Sequence, residues 1–224
     1  QLDIVHCTLM PHGIEAHHTT SRSTQFQIMI DHSIVGPLQL QRGNGTLRIQ
    51  DSIIDGMSAP AITTLTSTHA AGITTHIERA TIFGPVQLQE LIQARNVIFT
   101  APVYVQRQQT GMVSFSYVPE SSQTPRRTHC QPDLALAQQN QSGKRKTSME
   151  EEQIYLLFTS SRYGDPGYAQ LSISCAPEIR RGAEGGSEMG AFHYLRQVQR
   201  QDNFYHALDE YFPFHLAINV FFVN

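Results

Sequence analysis

The chain of 224 residues is poor in charge: only 16% of it is Asp, Glu, Lys or Arg, against about a quarter in an average soluble protein. Its formal net charge of −3 gives no global electrostatic basis for binding nucleic acid or an anionic membrane. No apolar run approaches the length of a membrane span, and no basic segment precedes a signal-like core. The three cysteines, Cys7, Cys130 and Cys175, are widely spaced and odd in number. That pattern excludes a C-x-x-C zinc motif and argues against a disulfide framework. They read as buried free thiols in a reducing compartment. An initiator Met is missing as well: the chain opens at Gln1, directly in a strand-like segment, so upstream sequence is expected.

Polarity comes instead from Gln, Ser, Thr and His, interleaved with β-branched apolar residues, a texture that suits stacked strands better than a helical bundle. Five segments share one pattern: an alternating apolar strand, a small or polar turn residue, then a second apolar pair. They run from Leu2 to Met10, Ile28 to Gly36, Leu47 to Gly56, Thr75 to Gly84 and Leu91 to Phe99, with the generic form L-x-I-x-x-S-x-I-x-G. Period-two alternation puts Leu47 and Ile49 on one strand face. The step before Ser52 turns the chain, and Ile53 or Ile54 points back into the same core. Equivalent residues of successive units would stack into columns that no single unit could bury alone, each inward Ile or Leu contributing roughly 1.5–3 kcal/mol.

Spacing between equivalent positions is irregular, from Ile4 to Ile30, Ile49, Ile77 and Gln93. Irregularity of this kind fits a right-handed parallel β-helix of the pectin-lyase type, in which loops of varying length leave each coil at its corners. A β-sandwich of short strands is the alternative, but its strands have no reason to share a register. The expected organisation is β-helix coils over residues 1–118, a loop and linker over 119–152, and a small C-terminal α+β cap over 153–224. Within the cap, residues 154–158 and 170–175 read as strands, 177–181 as a helical turn, and 214–223 as a final strand. Helical spacing of Phe192, Leu195 and Val198 follows, with Asp202 as a cap for a second helical segment. Phe192, Leu195, Phe204 and Phe214 are candidates for covering the last coil. The first coil offers Leu2, Ile4, Leu9 and Met10 as an open apolar face, which upstream coils or another chain would cover.

Several long signatures follow the repeat. Phe115-Ser-Tyr-Val-Pro119 precedes Thr124-Pro-Arg-Arg127 and Cys130-Gln-Pro-Asp133; later come Phe158 to Tyr168, Gly186-Ser-Glu-Met-Gly-Ala-Phe192 and Leu208-Asp-Glu-Tyr211. Together they resemble the C-terminal part of large bacterial β-helix proteins encoded with phage-tail-like contractile injection systems. That resemblance implies a structural accessory of the particle, at the baseplate or its periphery. It also implies assembly in the bacterial cytoplasm with other subunits as partners, and it brings no catalytic motif.

Candidate chemistry is sparse. His6 and His32 occupy equivalent positions one coil apart, with His12, His17 and His18 nearby; two imidazoles at strand separation could hold a metal or form a polar ladder. No carboxylate or thiol stands at a fixed short spacing to complete a site, so the ladder is the favoured reading, and no metal or cofactor is expected. Asp31, Asp51 and Asp55 are the alternative, a carbohydrate-binding or carbohydrate-cleaving site, since paired acids about 5–10 Å apart serve glycoside cleavage. On the shared register Asp31 stacks near Gln50 and Asp51 near His32. The next coil brings Glu78 and Arg79 to these positions and the last brings Ala94 and Arg95, a succession that solvent-facing charges also explain. Arg126-Arg127 and Lys144-Arg-Lys146 read as solvated loop charges or as docking points for an acidic partner surface. No G-x-S-x-G elbow is present, and no catalytic residue is assigned.

Overall fold

Period-two alternation is realised as strands that pair only in parallel. The computed structural model describes residues 1–11, 13–17, 26–41, 45–64, 73–141 and 154–211. The expected final strand at 214–223, Phe214, and His12 and His18 lie outside the described residues, as does the side chain of His17. The protein is mainly β, with a C-terminal helical part, and every pairing between its strands is parallel.

Three rows of strands run side by side. The first contains β1 (Leu2–Val5), β4 (Phe26–Asp31), β7 (Gly45–Gln50), β10 (Ile73–Glu78), the C-terminal half of β12 (Val86–Arg95), β15 (Met112–Ser114) and β16 (Arg126–Thr128). A second holds β2 (Thr8–Leu9), β5 (Ile34–Val35), β8 (Ile53–Asp55), β11 (Thr81–Phe83) and β13 (Ile98–Phe99). The third holds β3 (Ile14–His17), β6 (Leu38–Gln41), β9 (Ile62–Thr63), the N-terminal half of β12, and β14 (Val103–Arg107). The long strand β12 belongs to two rows and joins them into one sheet, curled as a half-barrel.

Register explains the core. Ile4 pairs with Ile30, Ile30 with Ile49 and Ile49 with Ile77, and all four side chains are buried. A second column runs through Val35, Ile54, Ile82 and Phe99. Between the columns, serines form a ladder of their own. The Ser33 hydroxyl donates to the Asp31 carbonyl (2.7 Å) and accepts the Cys7 amide (3.1 Å); Ser52 donates to the Gln50 carbonyl (2.5 Å) and accepts the Ser33 amide (3.1 Å). Ser116 repeats this later, donating to the Ser114 carbonyl and accepting the Val97 amide. Backbone donors at the turn are satisfied in this way without leaving the stack.

One expected column slips. A bulge between Thr75 and His76 shifts the pairing of β10 with β12, and such a bulge inserts one residue on one strand. Ile77 therefore pairs with Ala94 rather than Gln93, and Glu78 with Arg95. Pairing also runs on past Val118 into the stretch expected as linker: Gln123 pairs with Tyr104, β16 with β15, and Gln131 with Tyr117. Arg127 there is no free loop charge. It donates to the Thr124 hydroxyl, the Ser122 carbonyl and Asp133 at 2.7–3.1 Å. Helix α1 (Asp133–Gln141) follows.

The C-terminal part differs from expectation in two ways. Residues 154–158 and 170–175 are not strands; they share one antiparallel bridge, Phe158 to Leu171. α2 (Pro177–Arg180) forms as expected, and α3 (Gln197–Tyr211) is one helix that includes Asp202, whose carboxylate binds Arg181 (2.8 and 3.0 Å) instead of capping. More importantly, this part lies along the flank of the second row and does not sit on the end of the stack. Ile34 and Ile53 pack with Tyr168, Ala169, Ala191 and Phe192. Ile98 and Tyr117 pack with Cys175, Ile179 and Met189. The second row is therefore covered on both faces, which is why its residues come in consecutive apolar pairs. Gly190 (φ +96°) is required at the contact: a Cβ there would stand 2.6 Å from the Thr81 hydroxyl. Phe192 and Leu195 are half-buried and Phe204 is exposed. Of the thiols, Cys130 and Cys175 are buried, while Cys7 is exposed.

Candidate functional site

Each unit turns out of the first row on a single residue of left-handed backbone. His6, His32, Asp51, Arg79, Asn96, Phe115 and His129 all have φ between 44° and 55°. Only glycine adopts this conformation freely, and Asn, Asp and His tolerate it better than most other residues. The column of corners brings functional groups from different units together. The His6 and His32 rings lie 5.1 Å apart, and Phe115 stacks on His129 at 4.9 Å.

Polar groups concentrate at the His6–His32–Asp51–Arg79 stretch. Asp31 Oδ1 is 2.9 Å from His32 Nδ1. Arg79 grips Asp51 with two hydrogen bonds, Nε to Oδ1 (2.7 Å) and Nη2 to Oδ2 (2.9 Å), and reaches Glu78 with Nη1 (2.5 Å). The Asp51 hydrogen bond and charge hold the Arg79 guanidinium even more firmly in its protonated form. One donor atom each from Asp31, His32 and Asp51 lies within 4.8 Å of the others. Two of the three carboxylates singled out from sequence therefore do converge, on His32. Asp55 does not join them: it accepts the Tyr168 hydroxyl (2.7 Å) and the Met57 amide (2.8 Å), and burial together with Asp55 pushes the Tyr168 phenol well up.

A cleft of about 640 Å³ opens beside this cluster, between the rows and the C-terminal part. Its rungs contribute His6, His32 and Asp51, and its far wall contributes the rings of Tyr163, Tyr168, Phe192 and Tyr194. Tyr194 meets His32 edge-on at 5.3 Å. Sequence reasoning missed this wall, because the flank contact that places it joins residues more than a hundred positions apart, as in Tyr168 to Asp55.

Ser187 and His193 form a nearby pair with the wrong disposition for nucleophilic catalysis. His193 Nδ1 is shared between the Ser187 hydroxyl (2.9 Å) and the Glu188 carbonyl (3.0 Å), and Ser187 is buried. Burial holds the His193 imidazole below its usual pKa. The pair closes a turn between Glu184 and Leu195. Comparison with protein families, with curated proteins and with solved structures finds no match to this chain.

Proposed function

We propose that the three rows are turns of a right-handed parallel β-helix, and that the chain is a structural and docking part of a larger assembly. Successive parallel strands linked by right-handed crossovers are the general rule, and equivalent residues stack here through six or more units. The resemblance points to an accessory of a phage-tail-like contractile injection particle, with the particle's other subunits as partners.

The observation that carries this reading is the edge formed by β1, β2 and β3. Among the described residues nothing pairs beyond it. Leu2 and Leu9 continue the inward columns of Ile28 and Val35 but remain 45% and 39% exposed. Such an edge is a template for a further coil, from this polypeptide or from another chain. Asp51 and Asp55, two of the three candidate catalytic carboxylates, are held by Arg79 and Tyr168, which supports a structural over a sugar-cleaving role.

Sedimentation over a range of concentrations tests the docking edge. The chain should associate through it, and Leu2→Lys with Leu9→Lys should give a monomer with an unchanged unfolding midpoint. A wild-type chain that stays monomeric at every concentration overturns the proposal. The aromatic cleft favours a second reading, carbohydrate binding. With no tryptophan and eight tyrosines, a saturable change in tyrosine fluorescence on adding oligosaccharides is the expected signal, and its absence removes that reading.

A further inference from the structure

We infer that the first three corners hold a divalent transition-metal ion, bound by Asp31, His32 and Asp51 with His6 as the fourth donor. The donors come from consecutive units: His6 from the turn after β1, Asp31 and His32 from β4 and its turn, Asp51 from the turn after β7. Their spacing is set by the parallel stack itself, so no loop must rearrange to bring them together.

The geometry is close to what a small ion needs. Metal–nitrogen and metal–carboxylate distances of about 2.0–2.2 Å place two ligands of a tetrahedral ion roughly 3.4 Å apart. The donor atoms of Asp31, His32 and Asp51 lie within 4.8 Å of one another, and the His32 Nδ1 to Asp31 Oδ1 separation is 2.9 Å. Asp31 and His32 are only half-buried, so small rotations of their side chains close the remaining distance. The exposed His6 ring stands next to this group on the preceding corner, 5.1 Å from that of His32.

The donor chemistry selects the ion. Two imidazoles with two carboxylates suit zinc, nickel, cobalt or copper better than calcium or magnesium, which prefer oxygen throughout. Asp51 also has the outer support that ligating carboxylates usually show, here from Arg79 and from the Gln50 amide (3.2 Å). Arg79 takes one position on each Asp51 oxygen and Gln50 a second on Oδ2, which leaves Oδ1 with acceptor capacity for an ion. Bound there, an ion would tie three successive units together beside the open edge, raising the unfolding midpoint by mass action.

The test uses the full chain with metal alone: Zn²⁺ by calorimetry and Co²⁺ by its visible absorption. One ion per chain is expected, with a dissociation constant on the order of micromolar or tighter. Asp31→Asn and His32→Ala should each weaken binding by at least about tenfold, the lower limit typical of losing even an outer partner. Among the described residues the Asp31 side chain bonds only to its neighbour His32, so Asp31→Asn is expected to fold normally, and its circular dichroism spectrum checks this. His129→Ala, on the same corner column four units away, should leave binding unchanged. Absence of saturable binding overturns the proposal. So does binding that survives both ligand variants, or that disappears only when His12, His17 and His18 are replaced, which would place the metal on the histidine-rich segment instead.

Discussion

Two buried residues show where single side chains work against the fold. Thr75 occupies the inward column between Leu47 and Leu91, is fully buried, and its hydroxyl finds no hydrogen-bond partner. An unpaired buried hydroxyl costs roughly 1–3 kcal/mol. Thr75→Val, nearly isosteric, should therefore stabilise the protein by about that amount in denaturant unfolding, and a loss of stability would show that the hydroxyl is paired after all. Glu188 is the second case. Burial pushes its carboxyl from 4.5 up to about 7, with Arg180 only partly opposing the shift, and Oε1 is unpartnered. The unfolded chain releases this proton near pH 4.5 while the folded chain keeps it, so stability falls as pH rises from about 4.5 to 7. At 1.36 kcal/mol per pH unit the loss is about 3 kcal/mol. Glu188→Gln should match wild type at pH 4 and exceed it at pH 8; stability curves that stay parallel across this range would contradict the assignment.

At the scale of elements, the decisive contact is the flank on which residues 154–211 lie. Tyr168 donates to Asp55, stacks on Phe83 with centroids 5.7 Å apart, and covers Ile53. Tyr168→Phe leaves Asp55 with one partner fewer and should cost roughly 1–3 kcal/mol. Hydrogen exchange should quicken in residues 154–211 while β7 and β10 stay protected; uniform quickening throughout would mean that flank and rows unfold as one unit. That bond and the Arg79–Asp51 pair also make it costly to replace Asp31, Asp51 and Asp55 together by Asn. Since Asp51 is buried against Arg79, that variant should be destabilised rather than silent.

The rows were legible because parallel stacking repeats a short pattern: Ile30, Ile49 and Ile77, Ser33 and Ser52, and the pairing of Asp31 with Gln50 all follow from one alignment. The slip at Ala94 was not, since a bulge leaves the composition of a strand unchanged. The flank was half visible in the consecutive pairs Ile53–Ile54 and Ile98–Phe99, whose outer members needed a cover. Its position along the side was hidden, because apolar Phe192 and Leu195 serve a side contact as well as an end contact. Of the candidate site, His6 with His32 and the carboxylates were each visible. The grouping of Asp31, His32 and Asp51 depended on the left-handed corners at His32 and Asp51, which a sequence pattern does not reveal.

For the whole molecule, nothing pairs beyond β1, β2 and β3 among the described residues, and the proposed role rests on that edge being a docking surface. Hydrogen exchange followed by mass spectrometry at low and high protein concentration measures this directly. The account predicts that β7 and β10 are strongly protected at both concentrations. It also predicts that amides from Leu2 to Leu9 exchange quickly in dilute solution and gain protection as concentration rises. Full protection of that segment in a dilute monomer, or exchange there that ignores concentration, would contradict it.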